Sequence, residues 1–205
     1  MRCLSCLFLL TLFLGPAAAF GARISLLGVA NSSEPNEPGT EYSGRPGYGA
    51  GLLFEIRMMP AIGFEFGALY MQRKYEYNTV VPTNTRTTVS ASLYEFPVLL
   101  RMHLGRLFSL GVGGYYAKAA GDLGTETRTE GGPASKQTAT YTSRNLTSTD
   151  YGALVSLALY FRLAPITHFT IDGRYAIGMK NNSTVAGTER KYNDMQLLAG
   201  LQFGF

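Results

Sequence analysis

The sequence predicts an all-β chain: an eight-stranded antiparallel up-and-down transmembrane β-barrel with short periplasmic turns and long extracellular loops. Three observations predict it. Side chains alternate with period two over segments longer than most soluble strands, short turns and long loops alternate along the chain, and both termini fall at the short-turn end. Composition agrees: of 205 residues 46% are hydrophobic, 16% are charged and 24 are Gly, with thirteen Tyr, twelve Phe and no Trp. That is too much apolar material for a disordered chain, and the glycines lack the strict period of a collagen-like fibre. The formal charge is +4, but the bases are scattered singly or in pairs such as Arg73-Lys74 and Arg190-Lys191. No nucleic-acid partner is expected from such a distribution.

The elements follow in order. Met1-Arg2 gives a positive start, Leu4 to Leu14 is apolar but too short to span a bilayer, and Gly15-Pro16 precedes Ala17-Ala18-Ala19. This is the pattern of a secretory signal peptide cut after Ala19, and residues 20–205 are expected to form a single barrel domain. Cys3 and Cys6 both lie in the leader, and no cysteine follows. The exported chain therefore has neither disulfides nor thiolate metal sites.

Eight strands are predicted at 22–31, 47–58, 61–77, 88–104, 107–120, 150–163, 168–180 and 192–205. The last shows the pattern best: Met195, Leu197, Ala199, Leu201, Phe203 and Phe205 alternate with mostly polar or small residues. Most of the eight meet the nine to eleven or so residues that a tilted membrane strand needs. Short turns are expected at Met59-Pro60, Gly105-Arg106 and Ala164 to Thr167, and long loops near 32–46, 78–87, 121–149 and 181–191. The 121–149 segment holds eight Thr and three Ser among its 29 residues, which suits a mobile loop or an extension of the strands above the membrane.

Periodicity alone does not say which face is outside. Size does, because a small closed barrel has room inside only for side chains, and the bulky Phe, Tyr, Leu and Ile set does not fit there. Hydrocarbon offers no partner for backbone N–H and C=O, so the sheet must close, joining the last strand to the first.

Alternation then places Glu55, Arg57, Glu65, Glu95, Arg101, His103, Arg162, Asp172, Arg174 and Asp194 inside. Two layers are expected: Glu55, Arg57, Glu65, Arg101, Arg162 and Asp172 lower down, and Glu95, Arg174 and Asp194 above. Such a network is either a charged constriction or a plug of ion pairs, and eight strands favour the plug. Pro97 lacks a ladder donor in mid-strand, so a bulge is expected there. Outward Tyr70, Tyr94, Tyr116, Tyr175 and Phe205 suit interfacial girdles as well as ordinary strand propensity.

Residues 93–105, LYEFPVLLRMHLG, resemble the YLEIPVLLK strand-turn signature of the outer membrane β-barrel domain family that includes PorT-like proteins, neighbours in fold of small OmpA- and OmpX-type barrels. Glu95, Pro97 and Arg101 occupy matching places. Asp150-Tyr151-Gly152, the RYAIGMKN stretch at 174–181 and the terminal LQFGF agree, so the resemblance covers most of the chain after residue 19. It implies an outer-membrane location in a Gram-negative-type bacterium, lipid as surroundings, and a C-terminal Phe205 that the barrel-assembly machinery reads as a sorting signal. Functions tied to an appended domain are not expected.

Three roles are open at this point: a structural or surface-interaction barrel meeting an unidentified extracellular partner through its loops, a narrow porin-like transporter, and an outer-leaflet lipid enzyme. An enzyme needs a nucleophile, a base and an orienting acid. The two histidines, His103 and His168, both flank short turns, at the wrong end for an outer-leaflet substrate. The Gly111 to Gly114 stretch precedes no helix and is no phosphate loop. No catalytic residue, cofactor or metal is expected, and the barrel is expected to be a monomer.

Overall fold

The computed structural model describes residues 21–37, 41–79, 85–129 and 133–204. The signal-peptide segment 1–19 and the sorting signal Phe205 lie outside the described residues. The strands are β1 (Ala22–Asn36), β2 (Tyr42–Met59), β3 (Ile62–Thr79), β4 (Thr85–Leu104), β5 (Phe108–Ala119), β6 (Leu123–Thr129), β7 (Ser135–Ala139), β8 (Thr149–Ala164), β9 (Thr167–Gly178) and β10 (Lys191–Gly204). Eight of them form an antiparallel ring in the order β3-β2-β1-β10-β9-β8-β5-β4, closed by β3 pairing with β4. The first and last strands pair from Arg23↔Gly204 to Asn36↔Lys191, so no barrel edge is left for hydrocarbon to strand.

The register fixes the tilt. Directly paired residues run Ile24, Phe54, Phe66, Val98, Gly114, Ala153, Ile177, Asn193 and back to Glu34 on β1, ten residues above the start. A stagger of that size inclines every strand to the axis, as closure of a narrow sheet requires. At about 3.3 Å per residue, the 20 residues of β4 reach well beyond a hydrocarbon layer of roughly 30 Å even when tilted. The upper ends of β2, β3 and β4 therefore stand clear of the membrane.

The short turns lie at one end, around Pro60-Ala61, Gly105 to Leu107 and Pro165-Ile166. Gly105 has φ +74°, a left-handed conformation that suits glycine. At the other end, part of the expected 121–149 loop is ordered: β6 and β7 form a hairpin, and β6 pairs with the projecting part of β4 from Ser90↔Gly124 to Thr85↔Thr129.

The expected bulge at Pro97 is absent. Pairing between β3 and β4 pauses between Phe66↔Val98 and Leu69↔Glu95 and resumes in the same register, while Pro97 stays paired with Tyr115 on the β5 side. The missing donor is accommodated by a gap in one ladder, without an inserted residue. A real bulge lies in β2 between Arg45 and Gly49. It reverses the alternation, so that Tyr42 shares the inward face although Tyr48 points outward. Gly47 sits in the bulge where a Cβ would come within 1.9 Å of the Gln72 carbonyl oxygen, leaving room only for glycine.

Side chains sort by face as an inverted protein. Leu52, Val98, Leu100, Leu157 and Leu197 are exposed on the outside, whereas Glu65, Arg101, Asp172 and Arg174 are buried in the lumen. Exposed tyrosines, Tyr48, Tyr70, Tyr94, Tyr116, Tyr151 and Tyr175, stand on the outward faces of six strands. Tyr70 lies opposite Tyr94 and Tyr116 opposite Tyr151, while Phe54, Phe64 and Phe66 cluster nearer the short turns.

Candidate functional site

Inward alternation brings the lumen side chains into three polar tiers rather than two. The lowest joins β2 to β4. Glu55 Oε1 lies 2.6 Å from His103 Nε2, and Arg57 Nη2 lies 3.0 Å from His103 Nδ1. His103 thus donates through Nε2 and accepts through Nδ1, bridging an acid and a base. Arg57 also donates to Glu55 at 3.3 Å.

The middle tier crosses the lumen. Arg101 donates to Glu65 through Nε at 2.6 Å and Nη2 at 3.1 Å, to Ser109 at 3.1 Å, and to Asp172. Arg174 donates to Glu65 and to Asp172, both at 2.7 Å, and Ser156 donates to Asp172 at 2.6 Å. Two guanidinium groups and two carboxylates, from β3, β4 and β9, are thereby joined, with Ser109 of β5 and Ser156 of β8 completing the ring and only Nη1 of Arg174 left without a partner among the described residues. Ser109 continues to the Tyr160 hydroxyl at 3.0 Å. A layer of Leu27, Leu53, Leu69, Leu99, Leu154 and Leu198 packs in the same lumen.

In the upper tier, Arg73 reaches Asp194 at 2.5 Å and Asp150 at 3.1 Å. Ser33 donates to Asp194 at 2.5 Å, and Tyr115 and Asn182 donate to Asp150 at 3.2 and 3.1 Å. The Arg73 guanidinium also lies 4.4 Å over the ring of Tyr192. Glu95 has no cation within ion-pair distance among the described residues and instead accepts from Gln196 Nε2 at 3.0 and 3.1 Å.

Of the residues expected inside, Glu55, Arg57, Glu65, Arg101, Asp172 and Arg174 join the lower and middle tiers, and Asp194 joins the upper. Arg174 belongs with Asp172 and Glu65, not in the upper layer, because its side chain reaches across to both. Arg162 is not in the lumen. It is exposed beside a register shift between Arg162 and Ala164, where the strand turns and its side chain reaches water, with Nε 3.4 Å from the Ala164 carbonyl. Arg73 and Asp150 were missed, although they share the inward parity of Glu65 and Ser156.

Above the upper tier the lumen ends in an aromatic cluster. Tyr75, Val89, Leu123, Leu146 and Tyr192 are buried there, with Tyr42, Tyr77 and Tyr141 packed against them. Tyr42 meets Tyr75 and Tyr77 edge-on at 5.6 and 5.8 Å. Its hydroxyl donates to Glu37 at 2.7 Å, and Arg190 donates to the same carboxylate at 2.5 Å and to Tyr42 at 3.2 Å. Burial, and then the bond to Glu37, push the Tyr42 phenol well above its ordinary range, so it stays a donor at physiological pH. A cavity of about 670 Å³ lies over this cluster.

The profile described as outer membrane protein beta-barrel domain matches residues 16–184. No curated protein matches the sequence. Among solved structures, the outer membrane protein OprG from Pseudomonas aeruginosa is 13% identical with a TM-score of 0.54, over 90% of this chain and 95% of that one. Ail, the attachment invasion locus protein of Yersinia pestis, in complex with the heparin analogue sucrose octasulfate, is 14% identical with a TM-score of 0.47, over 89% and 99%. The outer membrane protease OmpT from Escherichia coli is 11% identical with a TM-score of 0.36, over 90% and 96%. At 13% identity the likeness to OprG is one of fold, whereas the profile spans most of the sequence: the chain belongs to the outer membrane protein beta-barrel domain family.

Proposed function

We propose that this chain is a non-conducting, non-enzymatic barrel of the outer membrane, held as a monomer by lipid on its outward face and presenting its projecting strands and loops to a partner outside the cell. The middle tier carries this reading. Glu65, Arg101, Asp172 and Arg174 bond to one another across the lumen, and an ion would have to break several charge-assisted hydrogen bonds to pass. A narrow eight-stranded interior filled with side chains leaves no aqueous channel.

Catalysis fits the residues poorly. His103 is held by Glu55 and Arg57 near the short turns, far from the outer leaflet, and Ser109 is already bonded to Arg101 and Tyr160. No group of acids, histidines and cysteines suited to a metal ion occurs among the described residues.

Planar-bilayer recording with purified protein tests the proposal. The expected trace is flat. Steady, ion-selective steps that disappear on Arg101→Ala would instead make the tier a selectivity constriction and the chain a transporter.

A further inference from the structure

The projecting ends of β2, β3 and β4 enclose a cavity whose chemistry is more particular than that of a generic loop surface. Its volume, about 670 Å³, is in the range of roughly 300–1,000 Å³ typical of small-molecule sites. Its inner wall is aromatic and apolar, formed by Tyr42, Tyr75 and Tyr77 with Leu123 and Leu146. Tyr75 is buried and the Arg190 guanidinium lies 5.8 Å over the ring of Tyr42, while Tyr77, which Tyr42 meets edge-on, is only half-buried. The β2 bulge turns Tyr42 inward, which places the wall there by construction of the strand and not by a loop.

The rim is polar and electrically balanced. Glu37 and Glu41 face Arg144 and Arg190, with Asn78 and Thr125 beside them. Arg190 is fixed in advance by Glu37 and by the Tyr42 hydroxyl, and a group already held loses little freedom when a ligand arrives.

We propose that this cavity is a saccharide-binding site that takes a short neutral glycan. The π face of Tyr77 carries partial negative charge and attracts the weakly positive C–H face of a pyranose ring, while amide, carboxylate and guanidinium groups of the rim match its hydroxyls. A polyanion would need an excess of positive charge that two Arg against two Glu do not supply. A hydrocarbon would take water from the rim groups without offering them a hydrogen bond. A peptide added as a strand needs a free edge, whereas Tyr42↔Tyr77 and Tyr77↔Thr87 are already paired across the wall. The proposal rests on the surface-interaction reading, because it names the partner's chemistry.

The test uses the folded chain in phospholipid nanodiscs, probed with tetrasaccharides of N-acetylglucosamine, galactose and glucose and with a heparin tetrasaccharide. Isothermal titration calorimetry, with empty nanodiscs as the blank, reports binding. At least one neutral tetrasaccharide is expected to saturate below about 10 mM. Tyr77→Ala should weaken it about five- to tenfold while Tyr77→Phe keeps it, since the ring and not the hydroxyl carries the contact. Tyr48→Ala, on the outward face, should leave binding unchanged.

A folded barrel that binds none of the three neutral probes, or binds heparin most tightly, or is indifferent to Tyr77→Ala, overturns the proposal. Nanodiscs containing lipopolysaccharide separate the sources: competition identifies the cell's own surface sugar, and undiminished binding identifies a free glycan, the saccharide class standing in both. Conductance recorded on the same preparation keeps the two readings apart, since a conducting barrel that still binds sugar contradicts only the plugged lumen.

Discussion

Arg101 shows how a charge survives inside a membrane barrel. It is 1% exposed, and all three of its guanidinium nitrogens are bonded, two to carboxylates and one to a hydroxyl. Replacing it with methionine would keep most of the volume and leave Arg174 as the cation that Glu65 and Asp172 share. Breaking one member of a buried ionic network typically costs about 3–5 kcal/mol. Arg101→Met should therefore lower the urea midpoint of the refolded barrel markedly, whereas Arg162→Met, at the exposed rim, should stay within about 0.5 kcal/mol. Equal effects would mean that the tier contributes little. The difference between these two arginines was not legible from alternation, which gives both the inward parity. What separates them is distance from the turn, because a long cationic side chain near the end of a strand reaches water at little cost. Arg73 illustrates the opposite error. Its pairing with Lys74 in sequence suggests a solvated basic pair, yet successive residues in a strand face opposite ways and only Arg73 turns inward.

At the scale of elements, strand existence and closure were legible because lipid demands an uninterrupted apolar stripe on every strand. The parts above the membrane were not, since no such demand acts there. In β6 the sequence LGTETRT offers polar residues to both faces, so its period two is invisible to a hydrophobicity argument, although Leu123 enters the aromatic cluster. The β2 bulge was hidden for a related reason: one inserted residue exchanges the faces, and Tyr42 then reads as outward by simple counting. This division predicts the outcome of an excision. Replacing residues 122–140 with a short Gly-Ser linker should leave a heat-modifiable barrel, because among the described residues β6 pairs only with β7 and with the projecting end of β4. External protease should then cut near the mouth, which the hairpin covers. Loss of the heat-modifiable form would show that the hairpin belongs to the barrel's folding unit.

For the whole molecule, one inversion organises the rest: apolar residues meet lipid, ion pairs fill the axis, and aromatic residues close the upper end before the polar rim begins. The absence of cysteine beyond residue 19 makes the inversion directly measurable. Single cysteines at Phe96, Val98, Leu100 and Met102, and at Leu93 and Leu99, can be labelled with an environment-sensitive fluorophore in vesicles that carry nitroxide-labelled lipid. The even positions should be strongly quenched by the lipid and the odd positions spared. Uniform quenching along β4, or quenching confined to Leu93 and Leu99, would contradict the outward placement of the apolar stripe and with it the plugged, lipid-held barrel.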